Sequence, residues 1–134
     1  MLKTLSIRNV VLIDSLDIDF SGGLTVLSGE TGAGKSILLD SLGLLLGSRS
    51  ESSLVRTGAD KLSVTGVFEV RPDNKIYDIA AEYDLEVDGD IIIKRTISAD
   101  GRGKILFNDQ IITLKLLREL SRCLIEIHGQ HDNQ

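Results

Sequence analysis

Only one cysteine, Cys123, stands among the 134 residues, so no intrachain disulfide can form. There is no apolar run long enough to cross a bilayer and no cleavable leader pattern. The expected setting is therefore a reducing cytoplasm, with no membrane partner. Aromatic residues make up 4% of the chain against a hydrophobic total of 42%, a balance that suits a layered α/β core and excludes disorder. Excess positive charge is missing too. A net charge of −5 argues against a uniformly basic nucleic-acid-binding module, so any DNA contact has to be local or lie elsewhere. Repeats and low-complexity tracts are absent. The length fits a single domain, residues 1–134, that buries about two thirds of its unfolded surface.

What the chain does have is Gly29-Glu30-Thr31-Gly32-Ala33-Gly34-Lys35-Ser36, which satisfies G-x-x-x-x-G-K-[ST] at every specified position. A phosphate-binding loop of this kind needs a strand running in and a helix running out. Residues 24–28 form a short β-prone run after Gly22-Gly23, and residues 36–46 are helix-forming and rich in leucine. The plainer alternative is a Gly-rich turn capping a helix, which the strand and helix on the two flanks disfavour.

The residue types follow from the chemistry. Gly29, Gly32 and Gly34 let the backbone turn successive N–H groups inward on a polyphosphate. The helix that follows adds its positive end to the same anion. Lys35 is expected to reach the β- and γ-phosphate oxygens of ATP as a point charge, and the Ser36 hydroxyl to take one position on Mg²⁺. Glu30, Thr31 and Ala33 are expected to contribute backbone contacts.

Before the loop, Leu5 and Ile7 alternate with polar neighbours, as do Leu16, Ile18 and Phe20, which predicts two adjacent antiparallel strands. Val10-Val11-Leu12-Ile13-Asp14 imitates a Walker B strand, but Ser15 follows where a catalytic Glu is required, so it reads as a strand end. Phe20-Ser21-Gly22-Gly23 faintly imitates an ABC signature and reads as a turn. After the loop, the helix from Lys35 carries leucines nearly all round, which predicts burial between layers, with Gly47 as its stop. Residues 48–60 read as a loop exposing Arg49 and Arg56. Leu62, Val64, Gly66, Phe68 and Val70 share one face of a strand. Asp73 or Asn74 then caps a short helix reaching about Tyr83.

A β-meander is predicted next, with a hairpin signal at Asp88-Gly89, strands at 91–97 and 104–107, and turns at 99–103 and Asn108-Asp109. Thr113 caps a helix with Leu114, Leu117 and Leu120 as its buried stripe. A final interior strand is predicted at 123–127, ending in His128-Gly129-Gln130-His131-Asp132. Ligands of open α/β sheets bind beyond the strands' carboxyl ends, so Gln130 is a candidate to orient water or contact Mg²⁺. His128, His131 and Asp132 make an incomplete metal set.

The opening residues 5–14, the strand at 24–28 with its phosphate loop, Gly47-Ser48-Arg49 and His128-Gly129-Gln130-His131 together resemble the bacterial RecN family of SMC-like, ABC-type ATPases. The resemblance covers the whole chain but only the amino-terminal part of those much longer proteins. It implies an α/β fold, a P-loop NTPase core with an antiparallel β-subdomain, forming the first half of an ATPase head. It further implies Gln130 as the Q-loop glutamine that senses Mg²⁺ and the attacking water, and Arg56 as a contact to DNA or nucleotide. The implied role is recombinational repair of DNA double-strand breaks in the cytoplasmic nucleoid, with ATP held between two heads of a homodimer.

Positions 1–19 hold no aromatic residue to stack on adenine as transporters do, which disfavours transport. No signature motif, Walker B Asp-Glu pair, switch histidine or heptad arm is present. Since those parts stabilise the transition state, weak or no ATP turnover is expected from these residues alone. A nucleotide-independent assembly module that joins partner chains is the alternative. A P-loop kinase would need a phosphoacceptor site and a lid, and neither is seen.

Overall fold

A computed structural model describes residues 1–20 and 32–132, with side chains described for 1–20 and 35–124. The expected strand at 24–28, the turn before it, and Gly29, Glu30 and Thr31 lie outside the described residues.

Strands β1 (Leu2–Val10) and β2 (Ile13–Asp19) form the predicted antiparallel pair, with Ile7 opposite Leu16 and Val10 opposite Ile13. Val11 and Leu12 make the connection, so the Walker B imitation is a hairpin turn, with Val11 at φ 52°. Strand β3 (Lys61–Phe68) pairs with the other edge of β1, followed by β4 (Ile91–Ser98), β5 (Gly103–Phe107) and β6 (Gln110–Ile111). The result is one six-stranded antiparallel sheet in the order β2-β1-β3-β4-β5-β6.

Alternation sorts the two faces. Leu5, Ile7, Leu62, Val64, Phe68, Ile91, Ile93, Ile97, Ile105 and Phe107 are buried on one side. The other side carries Thr4, Ser6, Thr65 and Lys94. Gly66 falls on the buried face because helix α1 comes so close: a Cβ there would lie 2.6 Å from Leu45 Cδ1.

Helix α1 (Gly32–Leu45) lies on the buried face against β1, β3 and β4. Ile37, Leu38, Leu44 and Leu45 are buried, and the buried Ser41 hydroxyl donates to the Ile37 carbonyl at 2.9 Å. Leu39, however, is 68% exposed. The expected all-round burial is thus corrected to burial on one side, because the described elements cover only the sheet-facing side of α1.

Gly47, at φ 106°, ends α1 as expected. The Ser48 N–H donates to the Gly43 carbonyl at 2.9 Å and the Gly47 N–H to that of Leu44 at 3.5 Å, the pairing of a Schellman stop. Asn74 is the residue that caps α2 (Ile76–Glu82), its Oδ1 accepting from the Ile76 N–H at 2.8 Å. Asn108 and Asp109, at φ 47° and 67°, form the two-residue turn between β5 and β6.

Two expectations are corrected. Asp88-Gly89 leads into β4, but the element just before it is the helix α2 and not a hairpin strand. In place of a ladder partner, the Gln110 side-chain amide takes both backbone groups of Glu86, each at 2.9 Å. The second correction concerns residues 123–127, which are helical and not a strand: α3 runs Leu114–Asp132. Thr113 Oγ1 caps it as predicted, accepting from the Leu116 N–H at 3.1 Å. The stripe Leu117, Leu120, Leu124 continues at helical spacing past position 123, and no Gly or Pro stands before Gly129 to break it.

Candidate functional site

The second half of the phosphate loop is the opening turn of α1. Gly32, Ala33 and Gly34 are its first three residues, and Lys35 and Ser36 follow with exposed side chains. The amides at such a helix start have no intrahelical acceptor, and the first turn of α1 contains no acidic residue to compete for them. The aligned peptide dipoles add about half a positive charge at that end. An exposed ammonium and hydroxyl beside the opening amides of a helix can receive a phosphate and a hydrated cation.

Gln130 lies within α3, and its side chain, like those of His128, His131 and Asp132, lies outside the described side chains. Among the described residues no group of three or more potential metal ligands occurs. Arg56 is placed away from regular elements, after a short 3₁₀ turn at Ser52–Leu54. Its N–H donates to the Asn9 carbonyl at 2.9 Å, and the Val11 N–H donates to that of Leu54 at 2.7 Å, which fastens the loop to the β1–β2 hairpin. The exposed Arg56 side chain lines an open depression of about 550 Å³ with Asn9, Thr57, Asp60 and Lys61. Arg49 is exposed as well.

Residues the sequence reading missed sit at the far end of α1. Arg95 points inward from β4, at a position in register with Ile93 and Ile97, and is 3% exposed. Its Nη1 donates to the Leu44 carbonyl at 2.9 Å and also to that of Ser48. From α3, Arg118 Nε donates to the Gly47 carbonyl at 2.8 Å, and the one Ser121 hydroxyl proton is shared between the Leu46 carbonyl at 2.9 Å and the Arg118 carbonyl of its own helix at 3.0 Å. Burial, and then the nearby Arg118 charge, push the Arg95 guanidinium below its ordinary pKa, though a guanidinium stays charged at any physiological pH. The available signal was an arginine at an inward position of an alternating strand, where a charge needs buried partners.

The AAA domain family matches residues 4–133. The chain belongs to that family. Along its full length this AAA domain is 43% identical to the DNA repair protein RecN of Bacillus subtilis, over 135 residues that make up 23% of that protein. It is also 43% identical, over 138 residues, to RecN of Vibrio cholerae, again across 100% of this chain and 24% of the relative. The chain thus spans about a quarter of the length of these curated relatives, and the RecN resemblance read from its motifs holds from end to end.

Among solved structures, an SMC ATPase described for ATP-driven dimerization and DNA-stimulated activation superposes with a TM-score of 0.70 at 20% identity, over 92% of this chain and 79% of that one. The recombination mediator RecF, in a complex named RecF-ATPrS, gives 0.64 at 18% identity over 87% of this chain and 29% of that one. The AAA domain therefore has the mixed α/β fold, built on an antiparallel sheet, of the amino-terminal part of SMC and RecF ATPase heads. No described helix is long and apolar enough to cross a membrane.

Proposed function

We propose that the chain is the nucleotide-binding amino-terminal lobe of an SMC-like ATPase head, binding Mg²⁺-ATP within a protein of recombinational double-strand break repair in the cytoplasmic nucleoid. One observation carries the reading: the G-x-x-x-x-G-K-S sequence finishes in the first turn of α1, with Lys35 and Ser36 exposed beside amides that have no helical acceptor. In this reading the amides of residues 29–36 cradle the phosphates, Lys35 neutralises the β- and γ-oxygens, and Ser36 holds Mg²⁺. Gln130 supplies a second contact to the metal and the attacking water. Arg56, exposed on its own loop, is offered to DNA or to nucleotide.

The RecN relatives support the repair role, and the likeness to SMC and RecF heads supports assembly of two heads around nucleotide and DNA. Because these residues lack a signature and a Walker B pair, their contribution is binding, with the remainder of the head completing hydrolysis.

Thermal unfolding with and without Mg²⁺-ATP tests the reading. A ligand at a hundred times its Kd stabilises the folded state by about 2.7 kcal/mol, which for a domain of this size raises the melting temperature by roughly 10 °C. No rise at millimolar Mg²⁺-ATP would leave an assembly module as the surviving reading.

A further inference from the structure

All the side-chain hydrogen bonds described at the carboxyl end of α1 converge on four consecutive or near-consecutive carbonyls, those of Leu44, Leu46, Gly47 and Ser48. Their donors come from β4 and α3, between 47 and 75 residues away in sequence. A helix end of this kind is ordinarily finished by its own Schellman bonds and by water. Here α1 has the Schellman bonds and three tertiary donors besides.

The arrangement is not the least costly way to fill the space. Arg95 occupies an inward position between Ile93 and Ile97, where an aliphatic side chain would pack without desolvating a charge. It makes no ion pair among the described residues, and neither does Arg118. What the two guanidiniums supply is direction, with planar donors fixed on carbonyls at the negative end of the helix dipole. Contact with α3 is so tight at Gly47 that a Cβ would lie 2.5 Å from Arg118 Cγ.

We infer that Arg95, Arg118 and Ser121 are positioning residues for the phosphate site, a latch that fixes the orientation of α1 from its far end and ties it to α3. The inference rests on the nucleotide reading proposed above. Helix α1 has 14 residues, a lever of roughly 21 Å at about 1.5 Å per residue. A tilt of about 3° at the latch moves the opposite end by about 1 Å, and a displacement of that size can cost binding or reaction geometry up to ~100-fold. Coupling runs both ways: an anion held at the amino end of α1 stabilises the latched arrangement, and with it α3, the helix that carries Gln130.

Isothermal titration of the 134-residue chain with Mg²⁺-ATP, well below its melting temperature, tests the latch in Arg118→Ala and Ser121→Ala. Both changes lie on α3, outside the phosphate-loop sequence. Expected are losses of about tenfold in affinity for Arg118→Ala and about threefold for Ser121→Ala, with Arg118→Lys recovering most of the first. Hydrogen exchange supplies a readout that a merely structural role would not move: Mg²⁺-ATP slows exchange of the amides at 114–124 in the parent chain and fails to do so in Arg118→Ala. Should Arg118→Ala not fold, Ser121→Ala, which removes one oxygen, decides. Variants that melt earlier yet keep the parent Kd within about twofold overturn the latch while leaving the nucleotide site intact. A parent chain that does not bind Mg²⁺-ATP overturns the site itself, and the latch with it.

Discussion

Arg95 of β4 donates to the Leu44 carbonyl of α1 at 2.9 Å from inside the core, so a charged group of the sheet finishes the last turn of the helix. Replacing it with methionine fills most of the same volume but leaves the Leu44 and Ser48 carbonyls without this donor. A hydrogen bond from a charged donor contributes about 1.5–3 kcal/mol, and the Leu44 carbonyl keeps only the longer bond from the Gly47 N–H at 3.5 Å. Arg95→Met is expected to lower unfolding stability by about 2–4 kcal/mol in urea titration, and Arg95→Lys by less, since an ammonium reaches one carbonyl of the two. Equal stability of Arg95→Met and the parent would show that packing alone holds this end of α1.

Two glycines separate backbone strain from crowding. Gly47 and Gly58 both have positive φ, at 106° and 92°, but a Cβ on Gly47 meets Arg118 Cγ at 2.5 Å while one on Gly58 meets nothing within 4 Å. Gly58→Ala is expected to cost about 1 kcal/mol for the conformation alone, and Gly47→Ala about 2–4 kcal/mol because the Arg118 side chain must also move. Denaturant midpoints measure both. Similar losses at the two positions would argue that the approach of α3 is slack.

Lys35 and Ser36 are exposed in the first turn of α1, so neither supports the fold by packing. Lys35→Ala is expected to change the melting temperature of the nucleotide-free chain by no more than a surface change of about 0.5 kcal/mol would, yet to abolish the rise caused by Mg²⁺-ATP. Ser36→Ala is expected to weaken Mg²⁺-ATP and leave ATP in EDTA unaffected, because its hydroxyl acts through the metal. An equal loss under both conditions would remove Ser36 from the metal site.

The hairpin at the sheet edge has a pH signature. Arg8 donates to the two carboxylate oxygens of Asp17 at 2.9 and 3.2 Å. That hydrogen bond, with a smaller one from Ser6, holds the Asp17 carboxyl below its ordinary value. A lowered native pKa means the pair's contribution is whole at neutral pH and is lost as pH falls through that lowered value. Both partners are well exposed, at 44% and 62%, so the effect is small and screened by salt. In Arg8→Met the Asp17 titration, followed by NMR, is expected to move up toward the ordinary carboxylate range. The stability gap to the parent is expected to close as pH falls through that lowered value. An unmoved Asp17 titration would mean the pair does not persist in solution.

The sheet was legible because half-buried strands alternate: Leu5 and Ile7, then Leu62, Val64 and Phe68, declare their face one residue at a time. The caps at Asn74 and Thr113 were legible for the same reason, since a cap and the amide it serves lie within three residues. Residues 123–127 were not. A short apolar run has no period of its own, and the stripe through Leu117 and Leu120 decides it only once that helix is seen to continue. At the candidate site the phosphate loop is a contiguous string and could be read directly. The Arg95, Arg118 and Ser121 contacts could not, because each joins chain segments at least 47 residues apart.

The most direct test of the central claim, that the opening turn of α1 grips a triphosphate, is an amide NMR titration with Mg²⁺-ATP. The resonances of Gly32, Gly34, Lys35 and Ser36 are expected to show the largest shifts in the parent chain, and those of Gly32, Gly34 and Ser36 to stay still in Lys35→Ala. Stationary resonances at these four positions in the parent, at millimolar Mg²⁺-ATP, would contradict the nucleotide site.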